Sequence, residues 1–224
     1  MNYILRNISN LVTCKGKPGI PKAGKAQSEI GLIKNGCLIT DRDKIAFAGS
    51  EKDSIKFLKG KNNFKEIDCT GKTVMPGFID THTHFVFSGS RSDEYEMRIS
   101  GSTYEEIAKA GGGIAKTVNS VRKSTKEELK SIAAKRLEYF VQYGTTSIEG
   151  KSGYGLDTKN EIKMLDVINE LANENEFGLD IYPTFLGAHS IPKEIRKNEY
   201  MDLICYDMIP EIAKEKKAMF IDVF

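Results

Sequence analysis

VMPGFIDTHTHFVF (74–87) places two of the chain's three histidines, His82 and His84, one residue apart in an otherwise apolar run. Side chains at i and i+2 of a strand leave on the same face, here from Cα atoms roughly 6–7 Å apart. That spacing suits two imidazoles converging on one cation. It equally suits two core histidines satisfied by hydrogen bonds. Asp80, two residues earlier, shares the face and would orient a ligand or support the pair from below. Pro76-Gly77 breaks the chain just ahead of the run.

The rhythm of the sequence differs on the two sides of that break. Upstream, YILRNI (3–8), LVTC (11–14), KIAFAG (44–49) and FKEIDCTGKTV (64–74) read as short strands. EIGLI and CLIT flank Asn35-Gly36, whose tolerance of positive φ predicts a two-residue hairpin there. KGKPGIPKAGKAQS (15–28), rich in Gly, Pro and Lys, reads as a solvated surface loop. Downstream, strands alternate with helices. Ser124 and Glu127 form an S-x-x-E capping pattern ahead of a helix to about Tyr143, and Gly144 sits where it should stop. TTSIEG (145–150) is the next strand, followed by a helix over about 159–176. LDIYPTFLGA (179–188), a helical stretch within 193–217 and AMFIDVF (218–224) complete the alternation.

Strands and helices joined by short connections imply parallel strands linked by right-handed crossovers. The fold class is therefore α/β, with a small β-rich domain over 1–74 and the first half of a TIM-type (β/α)8 barrel over 75–224. A closed barrel needs about 250 residues, and a half-barrel leaves an open edge. The chain is expected to be a fragment of a longer one.

Composition narrows the class of protein. With 33 Lys and Arg against 31 Asp and Glu, the net charge of +2 offers no field for nucleic acid or an anionic membrane. Cys14, Cys37, Cys69 and Cys205 form no C-x-x-C pair, which excludes a zinc ribbon and fits reduced thiols in the cytoplasm. No secretory pattern opens the sequence and no apolar run approaches spanning length.

PGFIDTHTH resembles the first-strand motif of the amidohydrolase superfamily, whose members begin with a small β-sandwich and continue into a metal-binding barrel. FSGSRSDEYEMRISGSTYEEIAKAGGGI (87–114), GTTSIEGKSGYGLD (144–157) and PTFLGAHSIP (183–192) are similar to segments of its imidazolonepropionase family. The likeness covers essentially the whole chain. It implies opening of the cyclic amide of 4-imidazolone-5-propanoate to N-formimidoyl-L-glutamate in histidine degradation, with one zinc or iron ion activating water. A cytoplasmic homodimer is common in the family.

Position by position, the resemblance makes His82 and His84 metal ligands and Arg91 the partner of the substrate's propionate. It makes Tyr154 and His189 substrate contacts, with Tyr104 lining the pocket on slighter grounds. Each residue keeps an ordinary reading beside this one. Arg91 could pair with Asp93 or Glu94 at the surface, Tyr154 could pack on a loop, and His189 could be structural. Tyr104 could pack on an amphipathic helix, and Gly111-Gly112-Gly113 could be a plain turn. Lys151 is not assigned the metal-bridging role that a carboxylated lysine plays in some superfamily members. The remaining ligands and the acid/base are expected beyond Phe224. The competing functions are another amidohydrolase, such as a deaminase or cyclic amidase, and a non-catalytic half-barrel remnant.

Overall fold

The computed structural model describes residues 2–60 and 62–224. Backbone contacts divide the chain into two compact units, Met1–Pro76 and Gly77–Phe224.

In the first unit, β1 (Tyr3–Val12), β2 (Leu32–Asp41), β3 (Lys44–Ser50), β4 (Lys65–Asp68) and β5 (Thr73–Val74) form one sheet. Its order is β3-β2-β1-β4, and β5 also pairs with β1. The expected hairpin at Asn35-Gly36 does not form. Strand β2 runs straight through it, pairing with β1 on both sides (Ile8 with Gly36, Asn10 with Lys34). Asn35 instead takes φ +49° within the strand, and Asn7 takes +55° where the register of β1 slips by one residue. The bulge lies at Arg6-Asn7 of β1, between the Leu5–Leu38 and Ile8–Gly36 pairs, while the register through Asn35 is regular. Gly36 is needed because a Cβ there would lie 2.6 Å from Leu11 Cβ. The true hairpin closes at Asp41–Lys44. Strand β1 runs unbroken over Tyr3–Val12 where two strands were expected.

A helix absent from the sequence reading, α1 (Glu51–Leu58), follows β3, its first turn capped by Ser50 Oγ accepting from Asp53 N–H. Ile4, Cys37 and Ile39 are buried with Phe47, Phe57 and Leu58, and Ile8, Leu11 and Cys69 form a second small core. Among the described residues this unit is a single sheet, so the second layer of the expected sandwich has no strands here. Residues 15–28 lie at the surface with one short turn of 3-10 helix, as a solvated loop should.

The second unit is built on four parallel strands, β6 (Phe78–Thr83), β7 (Thr145–Lys151), β8 (Asp180–Ala188) and β9 (Phe220–Val223), in that order. Between β6 and β7 lie α2 (Ser92–Ile99), α3 (Tyr104–Lys109), α4 (Ile114–Lys123) and α5 (Lys126–Gln142). Helix α5 starts one residue later than the S-x-x-E pattern implies. Thr125 is the N-cap, and Glu128 returns its side chain to the Thr125 N–H. Ser124 is occupied elsewhere, its hydroxyl bonded to Ser88 and to the Ser120 carbonyl.

Helix α6 (Thr158–Glu174) joins β7 to β8, and α7 (Lys197–Leu203), a π turn and α8 (Ile209–Lys214) join β8 to β9. Leu129, Ala133 and Leu137 of α5 and Met164, Leu165, Ile168 and Leu171 of α6 bury against Ile148, Ile181 and Phe185. Strand β8 is buried from Pro183 to Gly187. Among the described residues no helix is long and apolar enough to cross a membrane.

Candidate functional site

The strand ends of the second unit gather four rings. His82 is the penultimate residue of β6 and His84 follows its last, with ring centroids 5.8 Å apart. His189, just after β8, stacks on His84 at 4.7 Å and 12°. Tyr154, in the turn after β7, lies 4.9 Å from His84 and 5.2 Å from His189. Parallel strands carry these residues to the same end of the sheet, which is where α/β folds build sites.

His84 is the exceptional member. Both its ring nitrogens are buried without a hydrogen-bond partner. Burial, followed by the adjoining His189 and His82, pushes its pKa down to about 4; the nearby Ser152 backbone opposes this without reaching bonding geometry. The ring is therefore neutral at pH 7, with a lone pair free for an electrophile. An ordinary core histidine would be hydrogen-bonded. A divalent ion beside His82 and His84 would supply a partner to the lone-pair nitrogen of His84, so the pair fits a metal. Among the described residues no group of three or more His, Cys, Asp or Glu side chains is placed to hold an ion. Catalytic metal sites use three protein ligands, more than this pair supplies.

Two supports fix this corner. Arg136 of α5 donates to the carbonyls of Phe85 (2.8 Å) and Phe87 (2.6 Å), and its guanidinium lies 3.5 Å from the Phe87 ring centroid. It thereby caps backbone groups left open where β6 ends. Beneath the histidines, Lys151 is only 3% exposed and reaches Glu149 at 2.7 Å and Asp222 at 2.8 Å. Thr184 Oγ1 donates to the same Glu149 carboxylate at 2.7 Å. The register explains the cluster: Lys151 lies across from Thr184, and Glu149 two residues earlier shares its face. Lys151 holds the Asp222 carboxyl below its ordinary range, with His82 a further, smaller influence. Lys151 is thus paired with two carboxylates.

Arg91 is the N-terminal cap residue of α2 and is exposed. The carboxylates that could have claimed it are engaged elsewhere. Asp93 binds Lys116 Nζ at 2.6 Å, and Glu94 accepts the Gly113 N–H at 2.9 Å. Arg91 lies close enough to Tyr154 to oppose the upward push that burial gives its hydroxyl. Tyr104 is exposed at the start of α3 and takes no part in the ring contacts joining the other four.

The turn bearing Tyr154 is fixed from both sides. Glu161 of α6 is fully buried, and its carboxylate accepts the N–H groups of Gly153 (3.0 Å), Gly155 (2.8 Å) and Leu156 (2.9 Å). Burial pushes this carboxyl up while these donors and the Ser152 hydroxyl oppose the shift. Arg122 of α4 donates to the carbonyls of Gly155 (2.8 Å) and Leu156 (3.1 Å) and pairs with Asp157 and Glu194. Gly153 takes φ +106°, and a Cβ on Gly155 would lie 2.4 Å from the Glu161 nitrogen. His189 Nδ1 lies 2.9 Å from the Gly153 carbonyl. A carbonyl only accepts, so this bond puts the hydrogen on Nδ1.

Sequence reading missed Glu149, Asp222, Glu161, Arg122 and Arg136. Glu149 and Lys151 carried a signal, charges at i and i+2 on the end of a buried strand. Glu161 looked like one more charge near a helix start.

Comparison with known proteins bears on what this arrangement is. Residues 65–120 match the amidohydrolase family. An imidazolonepropionase of Clostridium tetani is 41% identical over 225 aligned residues, covering 100% of this chain and 52% of the relative. One from Shouchella clausii is 43% identical, covering 98% and 49%. The chain thus spans about half the length of the curated relatives it matches. Among solved structures, Escherichia coli guanine deaminase superposes with a TM-score of 0.60 at 16% identity, covering 97% of this chain and 45% of that one. That likeness speaks to the fold alone. By sequence, the chain is similar over its whole length to one half of imidazolonepropionases, and it carries a segment that matches the amidohydrolase family.

Proposed function

We propose that the protein to which this chain belongs hydrolyses the cyclic amide of 4-imidazolone-5-propanoate to N-formimidoyl-L-glutamate, and that these 224 residues carry the N-terminal portion of it. The observation that carries the reading is His84, buried with two unpartnered nitrogens among His82, Tyr154 and His189. The sequence likeness over the whole chain supplies the substrate.

His82 and His84 would hold one zinc or iron ion, completed by donors from the rest of the polypeptide. Such an ion polarises a carbonyl and activates water. The other residues bind and orient. Arg91, without a carboxylate of its own, presents a planar fork to the propionate. Tyr154, its hydroxyl kept protonated by burial, donates a hydrogen bond. His189, with its hydrogen held on Nδ1 by Gly153, offers Nε2 as an acceptor to the N–H of the substrate ring. Holding the ring this way makes attack effectively intramolecular. Water adds across the ring C–N bond, and the proton taken up by the departing nitrogen comes from a residue outside this chain.

The same reading makes the five-stranded sheet one layer of a sandwich completed by later residues. It also makes the enzyme a cytoplasmic one, with the homodimer common in the family. Assay of the full-length protein against 4-imidazolone-5-propanoate, with cyclic amides and aminopyrimidines as comparison substrates, tests it. Turnover confined to the imidazolone is expected; turnover only of a comparison substrate overturns it.

A further inference from the structure

We propose that Glu161 is a positioning residue that sets both Tyr154 and His189 through the backbone of the 153–156 turn. The inference rests on the proposed reading only for its kinetic consequence.

The other buried positions in the body of α6 are apolar: Met164, Leu165, Val167, Ile168 and Leu171. A carboxylate at 161 serves no packing need, and burying it without a cation is costly unless hydrogen bonds replace water. All three backbone donors that replace water come from residues flanking Tyr154. One of them, Leu156, sits at φ +52°, a left-handed conformation that strains a non-glycine residue. Such strain persists where the surroundings over-determine it, and the Glu161 bond to the Leu156 N–H supplies that constraint. The influence then passes outward from Gly153. Its N–H is held by Glu161, and its carbonyl fixes the His189 ring at Nδ1. A single buried group thereby orders two rings that reach the site from different strands.

The test is Glu161→Gln in the full-length protein. The side chain keeps its size, but one acceptor becomes an NH2 that cannot receive the converging N–H groups. We expect the folded far-UV spectrum and the metal content to match wild type while kcat/KM falls on the order of 100-fold, the scale of an ångström of misplacement. The 15N spectrum of the His189 ring should change from one Nδ1–H tautomer to a mixture, which loss of stability alone would not produce. A folded variant with wild-type kcat/KM and an unchanged His189 spectrum overturns the proposal. If wild type opens no imidazolone, the functional reading fails, and the ring spectrum still decides the positioning role. If the variant does not fold, hydrogen exchange in wild type decides. Protected amides at Gly153, Gly155 and Leu156 support the role, and exchange at open-loop rates refutes it.

Discussion

Each unmet buried nitrogen of His84 costs about 1–3 kcal/mol in a protein without an ion. His84→Leu is therefore expected to raise the thermal stability of the metal-free protein slightly while abolishing its metal binding. Calorimetry beside elemental analysis checks both, and a variant that keeps its metal sinks the ligand assignment. His82→Ala should likewise remove most of the roughly one ion per chain that full-length protein is expected to hold. Arg91→Ala should raise KM for the propionate substrate at least tenfold with little change in kcat, since the carboxylate it grips is remote from the bond that breaks. An unchanged KM would remove Arg91 from the site. At this scale the sequence was legible where a residue type is rare in its setting, as with two histidines in an apolar strand. Glu161 was illegible because nothing local distinguishes a buried glutamate from a solvated one.

The capping boxes and the register bear on the elements. Thr125→Ala should destabilise α5 by about 1 kcal/mol, lowering Tm by roughly 2–4 °C for a domain of this size. Ser124→Ala acts through Ser88 instead and should not fray the helix start; amide exchange at residues 126–129 distinguishes the two. Lys151 joins β7 to β9, and Thr184 brings in β8 through the same Glu149 carboxylate. Asp222 is depressed chiefly by its bond to Lys151. Its contribution is thus present above the unfolded carboxylate pKa of about 4 and lost as pH falls through the lower folded value. Asp222→Asn should be less stable than wild type at pH 7 and equal to it near pH 2, as urea titrations at both pH values would show. A difference that survives at pH 2 would mean the ion pair is not its source. Helices α5 and α6 were legible from spacing to within a residue or two, whereas α1, α2 and α4 were not. The straight passage of β2 through Asn35-Gly36 was not, because a tolerance of positive φ permits a turn without requiring one and only the partner strand chooses.

At the scale of the whole molecule, the helix-covered face of the parallel sheet is well packed and the opposite face is not. Phe220 and Ile221 are more than half exposed, and a hollow of about 390 Å³ is lined by Ile79, Ile148, Tyr182 and Phe220. Contiguous apolar surface of this kind associates in water. A polypeptide of only these 224 residues should therefore sediment as aggregates or oligomers and hold metal weakly. A polypeptide of the relatives' length should be discrete and hold metal tightly. A discrete 224-residue monomer with tightly bound metal would overturn the half-site reading.

The sequence by itself determined the alternation of strands and helices, the break at Pro76-Gly77 and the likeness to imidazolonepropionases, because periodicity and contiguous motifs are local properties. It also marked His82 and His84, whose shared face follows from the two-residue repeat of a strand. Only the tertiary structure decided that His84 lacks hydrogen bonds, that Asp93 and Glu94 leave Arg91 unclaimed, and that Lys151 pairs with Asp222. Those facts depend on which groups from distant segments arrive within 3 Å, and no pattern along the chain encodes that distance.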